Sequence, residues 1–178
     1  MTRRGALGGV AALVLASCGG GDAPPPSNRP QAGSGAGLLN SLVALENAAV
    51  AAWAAIAELL HGDALRYARA IREREIAHME QVAELVRALG GTPPEGRPAE
   101  EYARLFPRLD DRADALHFAR DLEERLVRAY LDALHSLPRE DQRSAAARIA
   151  AEEAEDLAVV HVLGGEPAAP QPFVTGTL

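Results

Sequence analysis

The stretch Arg72-Glu73-Arg74-Glu75-Ile76-Ala77-His78-Met79 decides how the chain is read, because it breaks a pattern that it otherwise obeys. Ile71, Glu75, His78, Val82, Leu85 and Leu89 recur at alternating steps of four and three, the stripe that a helix turns towards a core. Two positions of that stripe are polar, and their spacing puts Glu75 and His78 on one helical face. A carboxylate and an imidazole facing a core are costly unless something compensates them, and a bound metal ion is a common compensation. The partners of this pair should lie elsewhere in the chain.

Working outward, the flanking sequence resolves into four long helices. The second, which carries the motif, is expected to start after His61-Gly62-Asp63, with Gly62 ending the preceding helix and Asp63 as a cap. It stops at Gly90-Gly91-Thr92-Pro93-Pro94. The first helix is expected from about Leu38 to Leu60, with the stripe Leu39, Leu42, Glu46, Ala49, Trp53, Ile56, Leu60; again one core-phase position is acidic. Residues 90–110 are too long and too rich in proline for a tight turn, and suggest a crossover along the bundle with Tyr102, Leu105 and Phe106 lying on its surface. Asp110 or Asp111 can cap the third helix, whose stripe is Leu116, Ala119, Glu123, Leu126, Tyr130, Leu134. After Ser136-Leu137-Pro138 the fourth reads Ile149, Glu153, Asp156, Val160, Leu163 and ends at Gly164-Gly165.

The two hairpins repeat one another. Leu45-Glu46-Asn47-Ala48-Ala49-Val50-Ala51-Ala52-Trp53 overlays Leu122-Glu123-Glu124-Arg125-Leu126-Val127-Arg128-Ala129-Tyr130, and Glu75-x-x-His78 overlays Glu153-x-x-Asp156. Counted from the turn at Gly62, Glu46 and the Glu75/His78 pair stand at similar distances, and so at similar heights. The same holds for Glu123 and Glu153/Asp156 about the turn near Pro138. Six core-phase residues therefore converge: Glu46, Glu75, His78, Glu123, Glu153 and Asp156. Buried together, their five carboxylates cannot all stay charged without cations. Carboxylates with one imidazole suit a divalent iron or manganese ion.

On these residues the chain resembles the ferritin-like superfamily, and specifically its exported bacterial members with a lipoprotein or twin-arginine start. The resemblance covers residues 38–165 and implies an all-α, four-helix bundle of two hairpins joined by a long crossover, holding two iron or manganese ions. It implies Glu46 and Glu123 as ligands from single helices, Glu75 and Glu153 as bridges and His78 as a terminal ligand. Asp156 departs from the pattern, which expects histidine there. Either the second metal is held differently, or that half-site is weak or lost; His161, off the face of Glu153, is a poor substitute.

The remaining features bound the setting. The single cysteine, Cys18, excludes an intrachain disulfide. Thr2-Arg3-Arg4, the short apolar run Gly5–Leu15 and Leu15-Ala16-Ser17-Cys18 have the anatomy of an export signal whose end resembles a lipobox. The alternative is an ordinary secretory signal with an incidental cysteine. Residues 1–17 are thus expected to be removed and Cys18 lipidated. Residues 18–37 form a Gly/Pro/Ser-rich tether, and residues 166–178 a proline-rich tail whose Phe173-Val174 can dock back. The expected location is the outer face of the cytoplasmic membrane or the cell envelope. The expected partners are the membrane and, at most, a second copy of the chain.

A net charge of −7 with no long basic run argues against nucleic acid binding. The aromatic fraction of 4% beside abundant alanine and leucine favours close-packed helices over sheets. Tyr130 and Trp53 occupy matching positions and read first as core filling. His61, His117 and His135 read as turn or surface residues, and Glu80, Glu124, Glu152 and Glu155 as solvated charge. Two functions are open: a metal centre that handles oxygen, peroxide or ferrous ion, and a non-catalytic ferritin-like envelope or interaction module with a degenerate or single-metal site.

Overall fold

Alanine, leucine, arginine and glutamate lose little on entering a helix, and the chain spends them in long uninterrupted runs. The computed structural model describes residues 35–170. The expected signal, Cys18, most of the tether and Phe173-Val174 lie outside the described residues. Within them the helices are α1 (Ala36–Glu58), α2 (Gly62–Ala88), α3 (Ala99–Ala103), α4 (Arg112–Ser136) and α5 (Glu140–Leu163).

The bundle is two antiparallel hairpins, α1/α2 and α4/α5, packed against each other through α1 with α4 and α2 with α5. Its core has an apolar cluster at each end. One joins Trp53, Ile56, Leu60, Ala64, Ala68 and Ile71 to Ala115, Leu116, Ala119 and Val160. The other joins Leu39, Leu42, Val43, Val82 and Val86 to Tyr130, Ala133, Leu137, Ala146 and Ile149. The α1/α2 turn thus lies beside the start of α4, and the α4/α5 turn beside the start of α1. The segment from α2 to α4 must therefore travel the length of the bundle, as the sequence suggested.

That crossover is held along its way. Asn47 Nδ2 donates to the Pro94 carbonyl at 3.5 Å, and the Arg97 amide donates to the Tyr102 hydroxyl at 3.2 Å. Tyr102 is buried and stacks on Phe106, which tilts against Phe118 of α4 with ring centroids 5.3 Å apart. Leu105 is exposed rather than packed, so only two of the three expected apolar residues dock.

Helix ends follow local chemistry with one correction. Asp111 caps α4, accepting from the Ala113 and Asp114 amides. Both hairpins finish alike: the Gly91 amide bonds back to the Val86 carbonyl and the Glu166 amide to the His161 carbonyl. Gly90 and Gly165 take the positive φ that this closure requires. Asp63, expected as a cap, lies inside the first turn of α2 and pairs with Arg66 at 3.0 Å. The reason is that α1 ends early, at Glu58, and Leu60 turns inward to be buried, so Gly62 opens α2 instead of closing α1.

By length and composition α1 is apolar enough to cross a membrane, a property it shares with many core helices. Here its Leu39, Ala49, Trp53 and Ile56 are buried, and Glu46 sits in the middle of it.

Candidate metal centre

Between the two apolar clusters lies a polar layer. Glu46 from α1, Glu75 and His78 from α2, Glu123 from α4, and Glu153 and Asp156 from α5 are all buried. Each helix keeps its 3.6-residue period through this layer and simply replaces an apolar side chain by an acid or imidazole. Ligand atoms of Glu46, Glu75, His78 and Glu153 all lie within 4.8 Å of one another. His78 Nδ1 faces this group, 3.0 Å from Glu153 Oε1 and 3.8 Å from Glu75 Oε2.

The layer is surrounded by partners that the stripes alone did not reveal. His78 Nε2 lies 2.8 Å from Glu152 Oε2, on the residue just before Glu153. Glu152 was expected to be solvated, and its side chain is half exposed, yet it reaches over the α2–α5 seam to orient the imidazole. The Trp53 indole donates to Glu123 Oε1 at 2.8 Å, and the Tyr130 hydroxyl donates to Glu46 Oε1. These two aromatics therefore fill the core and also hold carboxylates. Asp156 faces Arg74: Arg74 Nε donates to Asp156 Oδ2 at 2.9 Å, and Nη2 pairs with Oδ1. His161 bonds to Glu166 at 2.7 Å and takes no part in the layer. His61, His117 and His135 are exposed, as expected.

The electrostatics match a site built for a cation. Burial, then the charges of Glu153 and Glu75, push the Glu46 carboxyl well above the usual range, against the Tyr130 hydrogen bond that lowers it. Burial and the same two neighbours raise Glu123, and burial raises Glu153 although His78 opposes it. For His78, burial favours the neutral ring, but the carboxyl groups around it, Glu153 first and then Glu75, outweigh it and push the imidazole up to about 11. Burial, then the charge of Glu46, also raises the Tyr130 phenol.

The donors fit a metal ion. One carboxyl oxygen on each of Glu46, Glu123 and Glu153, and both on Glu75, are buried without a hydrogen-bond partner, as is Asp156 Oδ1, which has the Arg74 guanidinium beside it as an ion pair. Orphaned acceptors in a dry core cost about 1–3 kcal/mol each, more if charged, and a cation relieves several of them together. Oxygen donors with one imidazole are the set that suits iron or manganese.

Two antiparallel hairpins, a lengthwise crossover and one acid from each of α1 and α4 facing Glu-x-x-(His or Asp) from α2 and α5 define a carboxylate-bearing four-helix bundle. The chain belongs to the ferritin-like domain family, which it matches over residues 34–166. Among solved structures it is similar to a conserved hypothetical protein, rv2844, from Mycobacterium tuberculosis, with a TM-score of 0.66 and 17% identity over 75% of this chain and 98% of that one. That likeness is one of fold. No curated protein matches the chain.

Proposed function

We propose that the protein is a membrane-tethered, extracytoplasmic ferritin-like protein that holds iron or manganese in its core and oxidises ferrous ion or reduces oxygen or peroxide. The observation that carries this reading is the buried group Glu46, Glu75, His78 and Glu153, whose ligand atoms lie within 4.8 Å of one another. When bound, such a metal supplies one-electron chemistry towards oxygen or peroxide. The chain's own residues set the conditions for it. Glu46, Glu75, His78 and Glu153 would hold the metal, with Glu123 as the further acid of the layer. Tyr130 and Trp53 fix the carboxyl groups they touch. The apolar clusters on either side keep bulk water from the layer.

The membrane tether rests on the lipobox-like Leu15-Ala16-Ser17-Cys18 and the Gly/Pro/Ser-rich segment after it. Cys18→Ala should move the protein from the membrane fraction to the soluble one; unchanged membrane association would remove the lipid anchor from this account. For the chemistry, the test is oxygen consumption on adding ferrous ion to the purified protein, with Glu75→Ala as control. Uptake in the wild type that the variant lacks is expected, and equal uptake in both would contradict the reading. A non-catalytic module with one structural metal is the second reading, favoured by the engagement of Asp156 with Arg74. It predicts bound metal without oxygen consumption.

A further inference from the structure

The polar layer has a pseudo-twofold symmetry. Trp53 follows Glu46 by the same spacing as Tyr130 follows Glu123, and each aromatic donates to the acid of the other hairpin. The same exchange operates between α2 and α5. Arg74 precedes Glu75 as Glu152 precedes Glu153, and His78 follows Glu75 as Asp156 follows Glu153. Glu152 reaches across to His78, and Arg74 reaches across to Asp156. The two cross-helix pairs are thus one arrangement built twice, with the charges exchanged. In one copy an acid on the flank orients an imidazole in the core; in the other a base on the flank binds an acid in the core.

The consequence differs between the copies. Glu152 occupies Nε2 of His78 and leaves Nδ1 facing Glu75 and Glu153, the posture of a metal ligand. Arg74 donates from Nε to Asp156 Oδ2 and sets Nη2 against Oδ1 as an ion pair, so that the guanidinium neutralises the carboxylate. It also sets a permanent positive charge against Asp156, the acid that takes the position of His78 in this copy. Glu123 and Asp156 both fall outside the group whose ligand atoms close up on one another.

We infer that the Arg74–Asp156 pair stands in for the second metal ion, so that the protein holds a single ion on Glu46, Glu75, His78 and Glu153. This rests on the metal-binding reading above and deepens it. Arg74 is a positioning and charge-setting residue, not a ligand, and Asp156 is its counterion.

The test is the stoichiometry and spectrum of manganese(II) bound by the full chain. Wild type should bind one ion per chain and give the six-line electron paramagnetic resonance signal of an isolated centre. Two ions per chain with an exchange-coupled signal would overturn the inference while leaving the metal-binding reading intact. No bound ion at all would sink both. Asp156→Asn should keep one ion with affinity within a few-fold of wild type, and loss of the ion in that variant would make Asp156 a ligand and contradict the assignment. Exchanging the second pair for the chemistry of the first, Arg74→Glu with Asp156→His, should raise the count to two and couple the spins. If that double variant keeps the wild-type helical circular dichroism and still binds one ion, the pair is not what excludes the second. Should it fail to fold, the wild-type count and Asp156→Asn decide.

Discussion

Glu75 makes the tightest demand on the account, because both of its carboxyl oxygens are buried without a hydrogen-bond partner. Such a group is tolerated where a cation completes it. Metal-free, the layer holds protons: burial raises Glu46, Glu123 and Glu153, so their stabilising share is full below about 4.5 and is lost as pH rises through their raised values. His78 works in the same direction, being full below about 6.5 and draining away as pH climbs towards about 11. Melting of the chelator-treated protein should therefore occur at lower temperature near pH 8 than near pH 5.5, and metal affinity should rise over the same interval as those protons are displaced. A melting temperature that rises with pH in chelator would contradict the assignment. Glu152→Gln, which keeps a hydrogen bond to His78 but removes the charge, should weaken metal affinity by roughly 10–100-fold with the helical content unchanged. Calorimetric titration reads this directly.

At the scale of the helices, most of the site was legible because the period of each stripe reports one face. Glu46, Glu75, His78, Glu123, Glu153 and Asp156 occupy core phase, and all six are buried where the stripes put them. What the stripes cannot report is the flank. Arg74 and Glu152 sit one residue before the core-phase acids, with side chains 41% and 50% exposed, and long side chains there reach over the seam to the neighbouring helix. A signal was present: Arg74-Glu75-x-x-His78 and Glu152-Glu153-x-x-Asp156 carry opposite charges at both the first and the last position. Crossing the two copies matches Arg74 with Asp156 and Glu152 with His78. Pairing between α2 and α5 also predicts a stability effect. Arg74→Ala leaves the fully buried Asp156 without its donor and should cost about 1–3 kcal/mol, read by urea unfolding. Adding Asp156→Asn should recover part of that loss, since the second change removes the stranded charge. A neutral Arg74→Ala variant would show that the pair contributes nothing to α2–α5 packing.

For the molecule as a whole, the long segment between hairpins was the most informative part of the sequence. Its length alone implied a crossover, and Tyr102, Phe106 and Phe118 show how it is fastened. The layer of acids divides the core into two apolar halves, so the bundle's stability and its site cannot be separated. An ion that binds the folded chain and not the unfolded one stabilises it by about 2.7 kcal/mol at a hundredfold excess over its dissociation constant. In a chain of this size that corresponds to roughly 5–10 °C in melting temperature. The most direct measurement is therefore thermal melting of the chelator-treated protein with and without manganese(II), beside Glu75→Ala. A rise of about that size in the wild type, absent from the variant, is the expected result. A wild type that melts at the same temperature with and without the ion, or a variant that gains as much as the wild type, would contradict a metal centre at Glu46, Glu75, His78 and Glu153.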